Sequence, residues 1–480
     1  MRKRALLINP PTGLYIREDR CQAPLKGMAM TTPRPPLDLA YMAATLEKTG
    51  VECRIGDYPA AGQDWSALAR DLREFRPDML VISVTSFTIG ADLKAATMAR
   101  EELGRSVMTI AKGAHISVKA GEVLAAHPDV DVALRGEYEF TVAELARAAD
   151  PLDVPGVTCR AGEGGAVVSS PDRPFLDDLD SLPFPARHLL DNSLYLRPDT
   201  DKPQTTVQTS RGCGGSCIFC LTPSVYGSRI RFRSPANVVA ELDECVKKHG
   251  IDDFFFRADT FTWNRKWVLD LCRMIVDRGL DFRWVCNSRV DTIDDERLEW
   301  MKRAGCEGVA FGIEAGTQEM LDRMKKGITL EKAREAVALC RKHGVMILLY
   351  FVMGLPWDTA ESIRASADFA LELGGDFVEF HIAVPFPGTE LYDIAVRDGL
   401  YIPEALDGYD YSRSPLKTYT LSSEQLLGLR REVAFRLYLS PRSLMRMAGT
   451  IFRHFRSPGR LVRVLIFGAR KLWYLLGKQG

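Results

Sequence analysis

Two tracts in which short apolar runs alternate with amphipathic helical patterns restrict this 480-residue chain to an α/β architecture of more than one domain. In the first tract the runs at 5–9, 53–58, 79–85, 107–111 and 130–134 read as buried strands. Residues 37–49 read as a helix with Leu39, Met42, Ala43 and Leu46 on one face. The pattern predicts a parallel, doubly wound sheet, in which ligands bind at the carboxyl ends of strands beside a topological switch point. The strand-end residues are Asn9, Pro10, Thr85, Ser86, Gly113, His115, Gly136 and Glu137.

Between about 150 and 202 the composition turns to Pro, Asp, Gly and Ser, which predicts a connector with little regular structure. Alternation resumes with strand-like runs at 206–209, 253–257, 282–287, 308–313, 347–353 and 377–383. Helical patterns at 235–248, 265–278, 294–304, 330–343 and 359–373 separate them. Six unbroken βα units predict a partial (β/α)6 barrel, with a full eight-unit barrel as the competing reading. From about 401 the chain reads as helical. The expected divisions are therefore 1–150, 151–202, 203–400 and 401–480.

Composition adds bounds. Hydrophobic residues make up 46% and the formal net charge is zero, which gives no reason to expect nucleic acid as a partner. No apolar run reaches the ~20 residues that span a bilayer. The basic-then-apolar start ends at Pro10-Pro11 without a small-residue cleavage site and reads as a first strand, not a signal peptide. The eleven cysteines are expected to be reduced, in a cytoplasmic protein. After Glu432 no acidic residue occurs, while Arg442, Arg446, Arg453 and Arg456 alternate with Leu444, Met447, Ile451 and Phe455. Such a basic amphipathic end suits peripheral contact with the inner membrane, or packing of one face with arginines left in solvent.

The chemistry is carried by Ser210-Arg211-Gly212-Cys213-Gly214-Gly215-Ser216-Cys217-Ile218-Phe219-Cys220. Structural zinc wants four Cys or His ligands, and the nearby Cys245 and His249 sit on a predicted helix without paired partners. A disulfide needs an oxidising compartment. Buried, inert thiols suit the scattered Cys21, Cys53, Cys159, Cys245, Cys272, Cys286, Cys306 and Cys340. Three thiolates on one tight loop can instead hold three irons of a cubane cluster, leaving the fourth iron to a ligand that is not protein.

This CxxxCxxC loop, with Phe219 before the last cysteine and just after the first barrel strand, resembles the radical S-adenosylmethionine (SAM) superfamily. The resemblance implies a [4Fe–4S] cluster on Cys213, Cys217 and Cys220, SAM on the open iron, reductive cleavage to a 5′-deoxyadenosyl radical and attack on an unactivated carbon. Further strand ends match the family in order. Arg257-Ala258-Asp259-Thr260-Phe261 places Asp259 where the SAM amino group is contacted. Phe311-Gly312-Ile313-Glu314-Ala315-Gly316 offers Gly312 and Glu314. Phe351-Val352-Met353-Gly354-Leu355-Pro356 resembles the segment flanking adenine, with Trp357-Asp358 in place of the usual Gly-Glu. Pro385-Phe386-Pro387-Gly388-Thr389 matches the closing turn.

A doubly wound domain ahead of such a core resembles the cobalamin-binding subclass, so the fold expected is α/β: a Rossmann-like cobalamin-binding domain, a TIM-like radical SAM barrel and a helical C-terminal region. Asn9-Pro10-Pro11 and Gly136-Glu137, followed by Glu139, match the subclass. The Asp-x-His-x-x-Gly signature of His-ligated cobalamin is absent, so His115 is a candidate contact and not an axial ligand. With Asn9, Ser86, Gly113, His115, Gly136 and Glu137 as cobalamin-side candidates, the resemblance implies C-methylation of a small-molecule or lipid substrate, with electrons from a flavodoxin or ferredoxin. Radical cyclisation, rearrangement or dehydration of a hopanoid, a tetrapyrrole or another natural product is the alternative. A non-catalytic cobalamin or cluster-binding regulator is a third reading. Tyr226, shortly after the cluster loop, is expected to pack that loop or to shield or donate to a radical.

Overall fold

The computed structural model describes residues 2–25, 33–161, 165–197 and 200–454, together with 459, 462 and 466. Strand β1 (Arg4–Asn9) leads into a hairpin of β2 (Tyr15–Glu18) and β3 (Cys21–Pro24). β4 (Glu52–Asp57), β5 (Met79–Ser83), β6 (Met108–Lys112) and β7 (Val132–Leu134) follow, each after a helix. They join β1 in the parallel order β4-β1-β5-β6-β7. Leu6, Leu7 and Ile8 are buried on both sides of the sheet, as a doubly wound sheet with helices on both faces requires. The strand order reverses about β1 and puts Asn9, Asp57 and Ser83 around the switch point.

The connector differs from its sequence reading. β8 (Val157–Arg160) and β9 (Val167–Ser169) pair antiparallel onto β7, so the division expected at 150 falls inside the sheet. Both strands are short, and the Pro- and Asp-rich flanks that suggested a linker are the turns between them and the barrel.

β10 (Thr205–Gln208), β13 (Asp253–Arg257), β14 (Arg283–Ser288), β15 (Cys306–Glu314), β16 (Met346–Met353) and β17 (Phe377–Ile382) form an open six-stranded parallel sheet in chain order. A small antiparallel ribbon, β11 (Ser210–Arg211) with β12 (Arg231–Phe232), splits off behind β10. The six-unit reading therefore describes this part and the eight-unit one does not. Its helices start where side chains cap them: Ser234, Asn264, Asp294, Thr329 and Thr359 each accept from a first-turn N–H. Phe256 stacks on Trp284 at 4.5 Å, and the buried Trp284 indole donates to the Ala304 carbonyl at 2.7 Å, which satisfies its one polar atom.

The region after 400 is also not helical throughout. Helices Ser423–Leu439 and Pro441–His454 are preceded by irregular chain, because Pro403, Gly408 and Pro415 interrupt any helical run. That irregular chain folds back on the barrel mouth and buries Tyr409 and Tyr411. Among the described residues no helix is long and apolar enough to cross a membrane.

Buried ion pairs lock the parts together. Glu241, 1% exposed, receives Arg187 of the connector at 2.5 Å and also Arg233. Burial alone would raise the Glu241 pKa, but Arg233 and Arg187 outweigh it and hold the carboxyl below its usual range. Glu241→Gln leaves two buried guanidiniums without a counter-charge and is expected to lower the unfolding free energy by about 3–5 kcal/mol. Because the folded-state pKa is depressed, this contribution is complete above the unfolded glutamate value of about 4.3 and is lost as the pH falls through the folded value. Urea titration checks both points; equal midpoints for the two proteins at pH 7 would refute them.

Candidate active site at the barrel mouth

The loop after β11 enters at Gly212, where φ is +87° and an added Cβ would run into the Arg229 carbonyl, so glycine is required. Cys213, Cys217 and Cys220 follow, all half-buried. The loop is pinned from two sides. Ile218 N–H donates to the Met324 carbonyl at 3.1 Å, and Leu391 N–H donates to the Ile218 carbonyl at 2.8 Å. Gly215 N–H donates to Cys213 Sγ at 3.4 Å, and Thr260 Oγ1 lies 3.9 Å from the same sulfur. Burial pushes the Cys220 thiol up to about 12, with Thr222 opposing. Burial also raises the Cys217 thiol, against Lys326 and Arg289. Among the described residues no three Cys, His, Asp or Glu side chains converge on a point fit for a single ion. Three thiols on one loop suit a cluster in which each holds one iron.

The strand-end candidates surround this loop. Asp259, after β13, has a side chain 6% exposed that accepts from Thr222 Oγ1 at 2.9 Å and from Arg20 of the hairpin at 3.4 Å. Burial raises its pKa against these donors. Glu314 ends β15 at φ +70° and pairs with Lys326 Nζ at 2.7 Å. A Cβ on Gly312 would strike the Glu314 carboxylate and the Lys326 amine, so the glycine makes room for that pair. Gly354, at φ +84°, donates its N–H to Asp358 Oδ2 at 2.8 Å, and Leu355 N–H does the same at 3.0 Å. The Asp358 that departs from the family pattern therefore fixes this turn. The sequence reading missed Arg289 and Lys326. Their signal was position: Arg289 directly follows β14, as Asp259 closely follows β13.

A cavity of about 280 Å³ opens above the sheet. Its walls are Phe219 of the cysteine loop, Phe255, Asn287, Tyr350 and His381 of the barrel, Arg20 and Cys21 of the hairpin, and Tyr409 and Tyr411. His381 Nδ1 lies 3.2 Å from the Tyr411 hydroxyl. The hairpin is the second feature that periodicity did not show, since four-residue strands flanked by turns leave little pattern.

On the far side of the hairpin a narrower cleft of about 50 Å³ meets the carboxyl edge of the first sheet. Asn9 and Ser83 line it, and Asn9 Oδ1 and Ser83 Oγ are buried without hydrogen-bond partners. His115, in the first turn of helix Ala114–Ala126, also has an orphaned Nδ1, and burial lowers its pKa to about 4, so the ring is neutral. These unmatched atoms fit a large ligand rich in amide donors, as a corrinoid is. Gly136 stands open on one side at φ +70° and donates to Ser117 Oγ at 3.2 Å. Ser86 is buried, and its N–H donates to Gln22 of the hairpin at 2.8 Å. Gly113 and Glu137 serve packing in this structure. A Cβ at Gly113 would meet the Val84 carbonyl, and Glu137 binds Arg231 at 2.9 Å and Arg211 at 3.2 Å.

Changing Cys213, Cys217 or Cys220 to Ala is expected to abolish the brown chromophore of anaerobically reconstituted protein and the formation of 5′-deoxyadenosine together. Deoxyadenosine at the parental rate from any one variant would defeat the assignment of that cysteine.

Comparison with known proteins agrees with this geometry. The family model described as the radical SAM superfamily matches residues 207–370, and that of the B12 binding domain matches 31–146. An uncharacterized methyltransferase of Pyrococcus horikoshii is 30% identical over 473 residues, 98% of each chain. An anaerobic magnesium-protoporphyrin IX monomethyl ester cyclase of Cereibacter sphaeroides is 27% identical over 93% of this chain and 74% of its own. The fold is similar to that of the radical SAM methyltransferase TsrM from Kitasatospora setae, solved with cobalamin and a [4Fe–4S] cluster. The TM-score is 0.66 at 21% identity, over 83% of this chain and 78% of that one.

Proposed function

The chain belongs to the cobalamin-dependent radical SAM enzymes, and on that premise we propose that it methylates an unactivated carbon of a small molecule held at the barrel mouth. One observation carries the reading: the cavity beside the three-cysteine loop and the cleft at the carboxyl edge of the first sheet share Ile16, Glu18 and Arg34 as a common wall. When bound, the cluster and SAM supply a one-electron route to a carbon radical, and cobalamin supplies a methyl carrier.

The chain's own residues do the positioning. Cys213, Cys217 and Cys220 hold the cluster. Asp259 and Glu314 face SAM, with Gly312 and Gly354 allowing close backbone approach. Asn9, Ser86, His115 and Gly136 meet the corrinoid, while Gly113 and Glu137 keep the sheet edge and the barrel in register. Phe219, Phe255 and Tyr350 keep water from the substrate radical. A flavodoxin or ferredoxin delivers electrons.

The cyclase relative, aligned with 93% of this chain, favours a second reading in which the substrate radical closes a ring and gains no methyl. SAM carrying a trideuterated methyl group separates the two. Methylation adds the label to a metabolite in extracts of a strain lacking the gene; a product without label overturns it.

Peripheral membrane contact belongs to the same proposal. Leu444 and Met445 of helix Pro441–His454 are 50% and 69% exposed, beside a basic sequence; 455–458, 460 and 461, 463–465 and 467–480 lie outside the described residues. Truncation after Ser440 is expected to reduce cosedimentation with anionic liposomes at least severalfold. Equal binding by the two chains would discard the contact.

A further inference from the structure

Two cations stand directly behind the cysteine loop. The position a side chain on Gly215 would take lies 3.5 Å from Arg289 Nη1, 3.5 Å from Cys213 Sγ and 3.9 Å from Cys217 Sγ, so the guanidinium and two sulfurs meet around one backbone point. Arg289 is held rigidly there. Its Nε and Nη2 each donate to Asp291 at 2.9 Å, Nη1 donates to the Lys326 carbonyl at 3.0 Å and Nη2 to the Gly327 carbonyl at 3.3 Å. Lys326 is 8% exposed, its amine bonded to Glu314 at 2.7 Å, and its charge acts on Cys217. Neither cation contacts solvent freely enough to be screened as a surface charge is.

We propose that Arg289 and Lys326 set the reduction potential of the cluster, acting as fixed positive charges behind Cys213 and Cys217; this rests on the radical SAM reading above. Reduction adds one electron from a low-potential one-electron donor, with no bond made or broken, and leaves the cluster and its three thiolates with one more negative charge. Net charge and hydrogen bonds to sulfur are established determinants of such potentials. A buried cation beside the thiolates favours the reduced form, and the Gly215 N–H bonded to Cys213 Sγ acts in the same sense. The arrangement can be pushed both ways, because Asp291 offsets Arg289 and Glu314 offsets Lys326.

The test is a redox titration of reconstituted protein without SAM or substrate, followed by EPR of the reduced cluster. Arg289→Gln is expected to shift the midpoint to more negative potential by about 59 mV, a tenfold loss of reduced cluster at fixed poise for a one-electron couple. Arg289→Lys should restore most of the shift. Asp291→Asn removes the counter-charge and should move the midpoint the opposite way. Midpoints that stay within error of the parent in clusters of full iron content overturn the proposal, as does a shift of the same sign in R289Q and D291N. If R289Q fails to retain its cluster, the direction of the D291N shift decides alone. A parent protein that forms no cluster at all defeats the functional reading itself, and this inference with it.

Discussion

The guanidinium of Arg257 ends β13 in the barrel, yet its carboxylates belong to the first domain: Asp38 at 2.7 Å and Glu18 at 3.4 Å. Arg257 is 1% exposed. Burial alone would raise the Asp38 pKa, but Arg257 and Lys112 outweigh it and hold the carboxyl well below its ordinary range. A buried charge is tolerated only with its partner in place, and removing one member costs several kcal/mol. The two domains therefore dock in one register or leave several charges unpaired. Glu137 and Glu139 meeting Arg211 and Arg231 apply the same constraint beside the cysteine loop. The same boundary also carries an apolar cluster in which Phe87 and Ala114 of the first domain pack with Val225, Phe386, Tyr409 and Tyr411.

Local patterns carried most of the fold into the sequence reading. The six βα units of the barrel turned out where the periodicity placed them, and the three-cysteine loop and the glycine-bearing ends of β15 and β16, each a short motif of consecutive residues, lie at strand ends of that barrel. What escaped was long-range. Arg20 reaches Asp259 across 239 positions, and Arg257 reaches Asp38 across 219. No spacing rule connects residues so far apart. β8 and β9 escaped for another reason: three- and four-residue strands at a sheet edge are too short for a period of two to emerge.

Asp259 shows how the two kinds of information combine. By position and charge it reads as the acceptor for the SAM ammonium. In the structure its carboxylate is held by a guanidinium and a hydroxyl, both donors of the kind an ammonium presents. The donors are the hairpin of one domain and the helix after the cysteine loop of the other. A carboxylate so buried and so placed reports on hairpin position and on the cofactor side at once. The site is thus assembled by domain docking and is not a property of the barrel alone.

A radical enzyme must also keep its own oxidisable side chains out of the reaction, and Tyr226 is the informative case. It lies six residues after Cys220, close enough in sequence to be read as packing the cysteine loop, or as shielding or donating to a radical. The structure buries it at 5% exposure, with Arg257 donating to its hydroxyl at 2.8 Å. The guanidiniums of Arg211 and Arg257 lie 5.3 and 5.9 Å from its ring centre. Burial holds the phenol well above its ordinary pKa, so it stays protonated. Those guanidiniums are themselves paired with Glu137, Glu139, Glu18 and Asp38, so the phenol sits in an interior of paired charges. The charges that lock the domains together therefore also hold Tyr226 as a packing residue outside the cavity wall, which Tyr350, Tyr409 and Tyr411 form instead.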